Sequence, residues 1–391
     1  MKQIIKYTFG LLLILSIFSC DKLEISSIQA DSFIKLYGSG SSDFGVDVKP
    51  FNGGYILLAT TTNLNEDTDI SLIKTDKYGN QEGDMITIDG GGDDIAGSIL
   101  LTDDGGFIIA GTYYDIDSNE DDIYIAKYNS NGDFDWENFI GKTSSSNEEG
   151  AVIKKASTGY VIAGSTDRTG TKDVYLVKID DSGNLEWDNS FGGNDKDYAS
   201  DVIMHSNGFL IIGSSDGYDS FTHLGKFDIL LIKTNFNGDE THSHVYGSDE
   251  NDYGHSVIET DTSFVFVGSR EEISSNADVY VAMIDKENLL DFDWEFGFGA
   301  NLYDQGFDII KNQDGFTFVG CYEITNGTTA AYFLNIDYEG KALLEKPLGN
   351  YNQNMQSVEK TSDGGYIMIG SSGFEGNEQI CLIKVNSEGE L

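Results

Sequence analysis

The chain has 391 residues, with 24 lysines and arginines against 66 aspartates and glutamates, a formal charge of −42. Such a surface repels phosphate and anionic headgroups, which argues against nucleic acid and against electrostatic membrane binding. Acidic chains of low hydrophobicity stay disordered, but aromatic and β-branched residues recur here at regular intervals, so a packed core is expected.

Residues 1–19 read as an export signal, with Lys2 and Lys6 ahead of an apolar run from Tyr7 to Phe18 that is too short to span a bilayer as a mature helix. Ile17, Ser19 and Cys20 close that run. This ending resembles the lipobox of bacterial lipoproteins, whose cysteine is diacylated and becomes the first residue. The resemblance implies lipidation at Cys20, a tether over 20–31, and a bacterial cell-envelope address at the outer membrane. The tail Asp21-Lys22-Leu23-Glu24 is similar to export signals of surface lipoproteins of Bacteroidota; periplasmic and surface faces both stay open.

Beyond the tether, one unit of about fifty residues recurs over 33–80, 86–133, 134–184, 185–239, 240–290, 291–341 and 342–391. Four strand signals recur within it. An Asp-aromatic-small step opens a short first strand, as in Asp252-Tyr253-Gly254. A tight turn such as Asp103-Asp104-Gly105-Gly106 leads to an apolar second strand from Phe107. The third strand begins with aspartate, as at Asp173, and a turn over Asp180 to Asn184 supplies a glycine for positive φ. The fourth carries Trp136, Trp187 or Trp294. Units of this kind bury their apolar faces only against one another. Residues 32–391 are therefore expected to form an all-β, seven-bladed β-propeller with four antiparallel strands per blade. The final unit reaches only its third strand, Ile380 to Val385, while Ser32 to Gly38 is an orphan strand of the fourth type, so the N-terminal strand is expected to complete the last blade.

Gly192-Gly193, Asp197-Tyr198, Asp363-Gly364-Gly365-Tyr366 and the run from Asp173 to Asn184 resemble the propeller-repeat secreted proteins and lipoproteins of Bacteroidota. That resemblance implies fold and envelope location and no settled activity. Kelch and WD40 signatures do not fit, since Gly105-Gly106 precedes the second strand and no Gly-His and Trp-Asp pair marks a blade.

Long, variable loops fall between second and third strands, at about 61–68, 113–121, 166–172, 215–227, 270–277, 322–329 and 372–378. They share a face with the loops between blades, and function tends to ride on such loops. The longest holds Tyr218, Phe221, His223 and Phe227, candidates to stack on a sugar or anchor a protein, or else to fold back as a satellite cluster. Asp115, Asp117, Asn119 and Asp121 place oxygens at alternate positions, a possible calcium loop, although it lacks the glycine and glutamate of an EF-hand.

Aspartates that recur from blade to blade read as structural caps: Asp43, Asp94, Asp197, Asp252 and Asp304 open blades, while Asp69, Asp122, Asp173, Asp228 and Asp278 start third strands. Gln353, Ala330 and Gln379 replace some of them. His242 and His244 alternate on a fourth strand and read as a solvated face. Cys321 and Cys381 interrupt different repeats and read as buried free thiols. His223, His255 and Asp252 are the nearest approach to an acid–base set, with no nucleophile motif beside them. The reading is a lipid-anchored envelope module that binds a protein or glycan on the long-loop face. The alternative is a polysaccharide hydrolase or lyase, and calcium is the one cofactor suggested.

Overall fold

Second strands are apolar at nearly every position and so have to be covered on both sides, which a lone sheet cannot arrange and a ring of sheets can. A computed structural model describes residues 31–38, 41–141, 146–217, 226–272, 276–299, 302–325, 327–349, 352–374 and 376–391. The leader, Cys20 and the tether up to residue 30 lie outside the described residues.

Among the described residues every regular element is a strand, and the strands make seven four-stranded antiparallel sheets. The protein is a seven-bladed propeller. Blade three shows the plan: Glu148–Lys155 lines the centre, then Tyr160–Thr166, Asp173–Ile179 and Leu185–Phe191 follow outward in chain order. The seventh blade takes Gln353–Lys360, Tyr366–Phe374 and Asn377–Val385 and completes itself with Phe33–Tyr37. Phe33 pairs with Lys384 and Tyr37 with Ile380, and the Tyr37 hydroxyl donates to the Gly79 carbonyl of blade one at 2.6 Å. The expected closure is present.

Each hydrophobic cluster draws on two adjacent blades. Val161, Leu176 and Phe209 join blades three and four, while Leu57, Ala59, Ile367 and Leu382 seal blade seven to blade one. The tryptophans serve the same contact at the rim. Trp136 of blade two lies against Gly183, whose φ of 81° and lack of a side chain let the turn of blade three approach the indole. Asn138 fixes the approach by donating to the Gly183 carbonyl at 2.7 Å.

One expectation is corrected. In blades two, six and seven the second-to-third connections are shorter than the repeat suggested, because strand pairing continues into them: Asp115 pairs with Glu120, Thr325 with Thr328 and Phe374 with Asn377. These segments are hairpins that project from the face.

Candidate functional site: the central channel and its long-loop mouth

Every inner strand carries a β-bulge at the same place, one residue after the small residue of its opening step, for instance between Gly45 and Asp47 and between Gly254 and Ser256. A bulge bends the strand and re-aims a side chain. Val46, Ser200, His255, Phe307 and Gln356 occupy bulge positions and line the channel.

The residue after the bulge forms the next layer inward: Asp47, Ser98, Val152, Asp201, Ser256, Asp308 and Ser357. This layer ties blade to blade. The Asp47 carboxylate accepts the Ile99 amide of blade two at 2.8 Å and the Ser357 hydroxyl of blade seven at 2.8 Å. Ser98 accepts the Ile153 amide at 2.8 Å, and Asp308 accepts the Val358 amide at 2.9 Å. Lys49 lies 3.0 Å from Asp47 and 2.6 Å from Glu359, while Lys154 lies 3.1 Å from Asp201. Burial works against the charge on Lys49, but Asp47 and Glu359 outweigh it and hold its pKa above the ordinary lysine value. Burial pushes Asp308 up to about 6, with Lys49 pulling it back. These groups line a cavity of about 310 Å³. Repetition shows which part is structural: the aspartates and serines bridge neighbours around a ring, as inter-blade ties must.

Above this layer the channel widens to about 690 Å³, lined by Phe44, Val46, Ile95, His255 and Phe307 with Asn354 and Gln356. Thr60, Thr68 and Asp93 also line it, and these flank blade one's hairpin and the loop to blade two, so the mouth opens on the long-loop face. A file of rings leads to it. Tyr198 and Phe227 have centroids 6.0 Å apart, Phe227 and Tyr253 5.6 Å, Tyr253 and His255 6.4 Å, and His255 and Phe307 4.8 Å. Burial pushes the His255 imidazole down to about 4, so it is neutral at physiological pH, and its Nε2 is buried with no hydrogen-bond partner.

The predicted site residues separate. Phe227 stands in the ring file, whereas Tyr218, Phe221 and His223 lie outside the described residues. His255 lines the channel, but Asp252 faces the junction between blades, where it accepts the Ser248 amide at 2.5 Å and meets Arg270 at 3.6 Å. In the suggested calcium loop the Asp115 carboxylate accepts the Asp117 amide at 2.9 Å, and the Asn119 oxygen accepts the Tyr114 hydroxyl at 2.9 Å. Asp121 presents its amide to Asn147 at 3.1 Å. Among the described residues, the one group of three acids whose oxygens converge within 4.8 Å is Asp69, Asp89 and Asp94 instead. His242 is exposed and His244 packs edge-on against Tyr246, at 4.5 Å. Cys321 and Cys381 are buried free thiols, both pushed up to about 12 by burial.

The inter-blade layer was missed in the sequence, although its signal is there. Four residues after each opening position comes Asp or Ser: Asp43 to Asp47, Asp94 to Ser98, Asp197 to Asp201, Asp252 to Ser256, Asp304 to Asp308 and Gln353 to Ser357. Only the third blade departs, with Val152 after Glu148.

No protein-family profile matches the chain, and no curated protein matches it in sequence. Solved propellers match it in fold. An ulvan lyase of polysaccharide lyase family PL25 superposes with a TM-score of 0.56 at 12% identity, over 91% of this chain and 97% of that one. The lyase bound to -[GlcA(1-4)Rha3S]- gives 0.53 at 11% identity, over 91% and 97%. An acylaminoacyl peptidase of Pyrococcus horikoshii gives 0.51 at 12% identity over 88% of this chain, which spans 52% of the peptidase's length. At these identities the likeness is one of fold.

Proposed function

We propose that the protein is an envelope binding module, held by a lipid on Cys20, that takes a glycan at the long-loop mouth of its channel. The observation that carries this is the ring file Tyr198–Phe227–Tyr253–His255–Phe307 running into a widened, mixed apolar and amide-lined mouth. Sugar rings offer C–H faces to aromatic side chains and hydroxyls to groups such as Asn354 and Gln356. A formal charge of −42 disfavours uronate-rich or sulfated chains, so neutral or amino sugars fit best.

The test is a glycan-binding screen with the purified protein, followed by titration of the best ligand against Tyr253→Ala and Phe307→Ala. Each variant should weaken binding by about tenfold, the size of one aromatic contact. Absence of any glycan ligand, or parental affinity in both variants, would reject the reading. Release of shortened chains during the titration would move the protein to the lyase or hydrolase class, with His255 as the base to test.

A second reading, a protein partner, has its own support. Hairpin tips on blades six, seven, one and two each expose a large apolar residue: Ile324, Phe374, Leu64 and Ile116. Leu64 is fully exposed and Phe374 is 70% exposed. A partner seated on these tips would be lost with Leu64→Ser and Phe374→Ser while glycan binding at the mouth survived.

A further inference from the structure

In blades one, two, four, five and six the opening residue is stitched to the previous blade at a fixed point. The Asp94 amide donates to the Thr68 carbonyl, that of Asp197 to Lys172 and that of Asp252 to Phe227, each at 2.7 Å. Each acceptor immediately precedes a third-strand aspartate, so two acids are brought together at the junction of adjacent blades: Asp69 with Asp94, Asp173 with Asp197, Asp228 with Asp252. Blades two and three make the same junction with Asp122 and Glu148, both against Gly141. All of these carboxylates are buried. Like charges in such a place need a cation, a proton or replacement.

The chain uses cations and replacement in turn. Its two arginines, Arg168 and Arg270, both sit at junctions. Arg168 reaches Glu148 at 2.8 Å, and Arg270 stands 3.6 Å from Asp252. Between blades six and seven both acids are gone, with Ala330 and Gln353 in their places. Asp278 and Asp304 make this junction between blades five and six, with Arg270 in register opposite Asp278, and two further junctions keep their acids with no arginine in register. Between blades one and two, Asp69, Asp89 and Asp94 converge within 4.8 Å. Between blades three and four, Asp173 and Asp197 meet at Gly192, both within 2.7 Å of where a Cβ would lie. Asp173 is 3% exposed, and its Oδ1, which points into this notch, is buried with no hydrogen-bond partner. The strand register makes the contrast direct: Asp252 pairs with Arg270, but Asp197 pairs with Ser215.

We infer that the junction of blades three and four binds one hard divalent cation, calcium by donor chemistry, in the place a guanidinium takes at two other junctions. Its two carboxylates, with the Thr169 hydroxyl 2.6 Å from Asp173, suit calcium and leave its remaining positions to carbonyls and water. Asp173 and Asp197 hold the ion, which pins blade three to blade four.

The experiment is calcium chloride titrated calorimetrically into chelator-stripped protein, with bound calcium counted after dialysis and thermal unfolding followed in calcium and in chelator. Asp173→Asn should remove one ion per chain. Ser215→Arg should remove the same ion by copying the Arg270 arrangement beside Asp197, and it supplies charge compensation that a carboxylate deletion does not. The parent should melt at a higher temperature in calcium than in chelator, and each variant should lose that difference. A parent that binds no calcium overturns the inference. So does a calcium count unchanged in both Asp173→Asn and Ser215→Arg, which would put the ions elsewhere on the acidic surface.

Discussion

Asp47 is the strongest single tie in the channel, and its removal has a calculable cost. Its carboxylate accepts the amides of Val48 and Ile99 and the hydroxyl of Ser357, and it forms an ion pair with Lys49. Asp47→Ala leaves the Ile99 amide and Ser357 hydroxyl buried without acceptors, at about 1–3 kcal/mol each. Lys49 keeps only Glu359. The expected loss is about 3–5 kcal/mol, the size associated with deleting one partner of a buried pair. Asp47→Asn keeps the shape and one oxygen, so it should cost about half as much. Urea unfolding followed by tryptophan fluorescence measures both, since Trp136, Trp187 and Trp294 all lie in other blades. Stability should fall in the order parent, Asn, Ala. An alanine variant within about 1 kcal/mol of the parent would refute the claim that this layer joins the blades.

Deleting residues 31–38 removes the strand that completes blade seven, so the urea midpoint should drop sharply; an unchanged midpoint would deny the closure a role in stability. His255 supplies a pH dependence. Its folded pKa of about 4 lies below the ordinary 6.5, so the unfolded chain binds its proton first. The stability present above about 6.5 is then lost as pH falls toward about 4, and His255→Phe should flatten that slope in acid unfolding curves. Cys321 and Cys381, buried and pushed up to about 12, should resist iodoacetamide in the native protein and react fully in denaturant, as peptide mapping would show. Rapid native alkylation at either would show that its blade opens readily.

Fold and closure were legible in the sequence because the interactions behind them repeat. A strand buried on both faces has to be apolar along its length, and a turn at positive φ has to have glycine, so period and blade count follow from spacing alone. The orphan strand Ser32 to Gly38 and the final unit's missing strand predicted their own pairing. The site was legible only in part. His255 could be placed on the long-loop face, but its entry into the channel depends on a bulge, which adds one residue without changing the hydrophobic pattern. The separation of Asp252 from His255 arises in the same way. Junction acids that are some 25 residues apart in the chain, such as Asp69 and Asp94, meet because one strand start is stitched to the next blade's opening amide. That contact belongs to the assembled ring: local propensity shapes each blade, and only the closed ring brings carboxylates of neighbouring blades into one buried space.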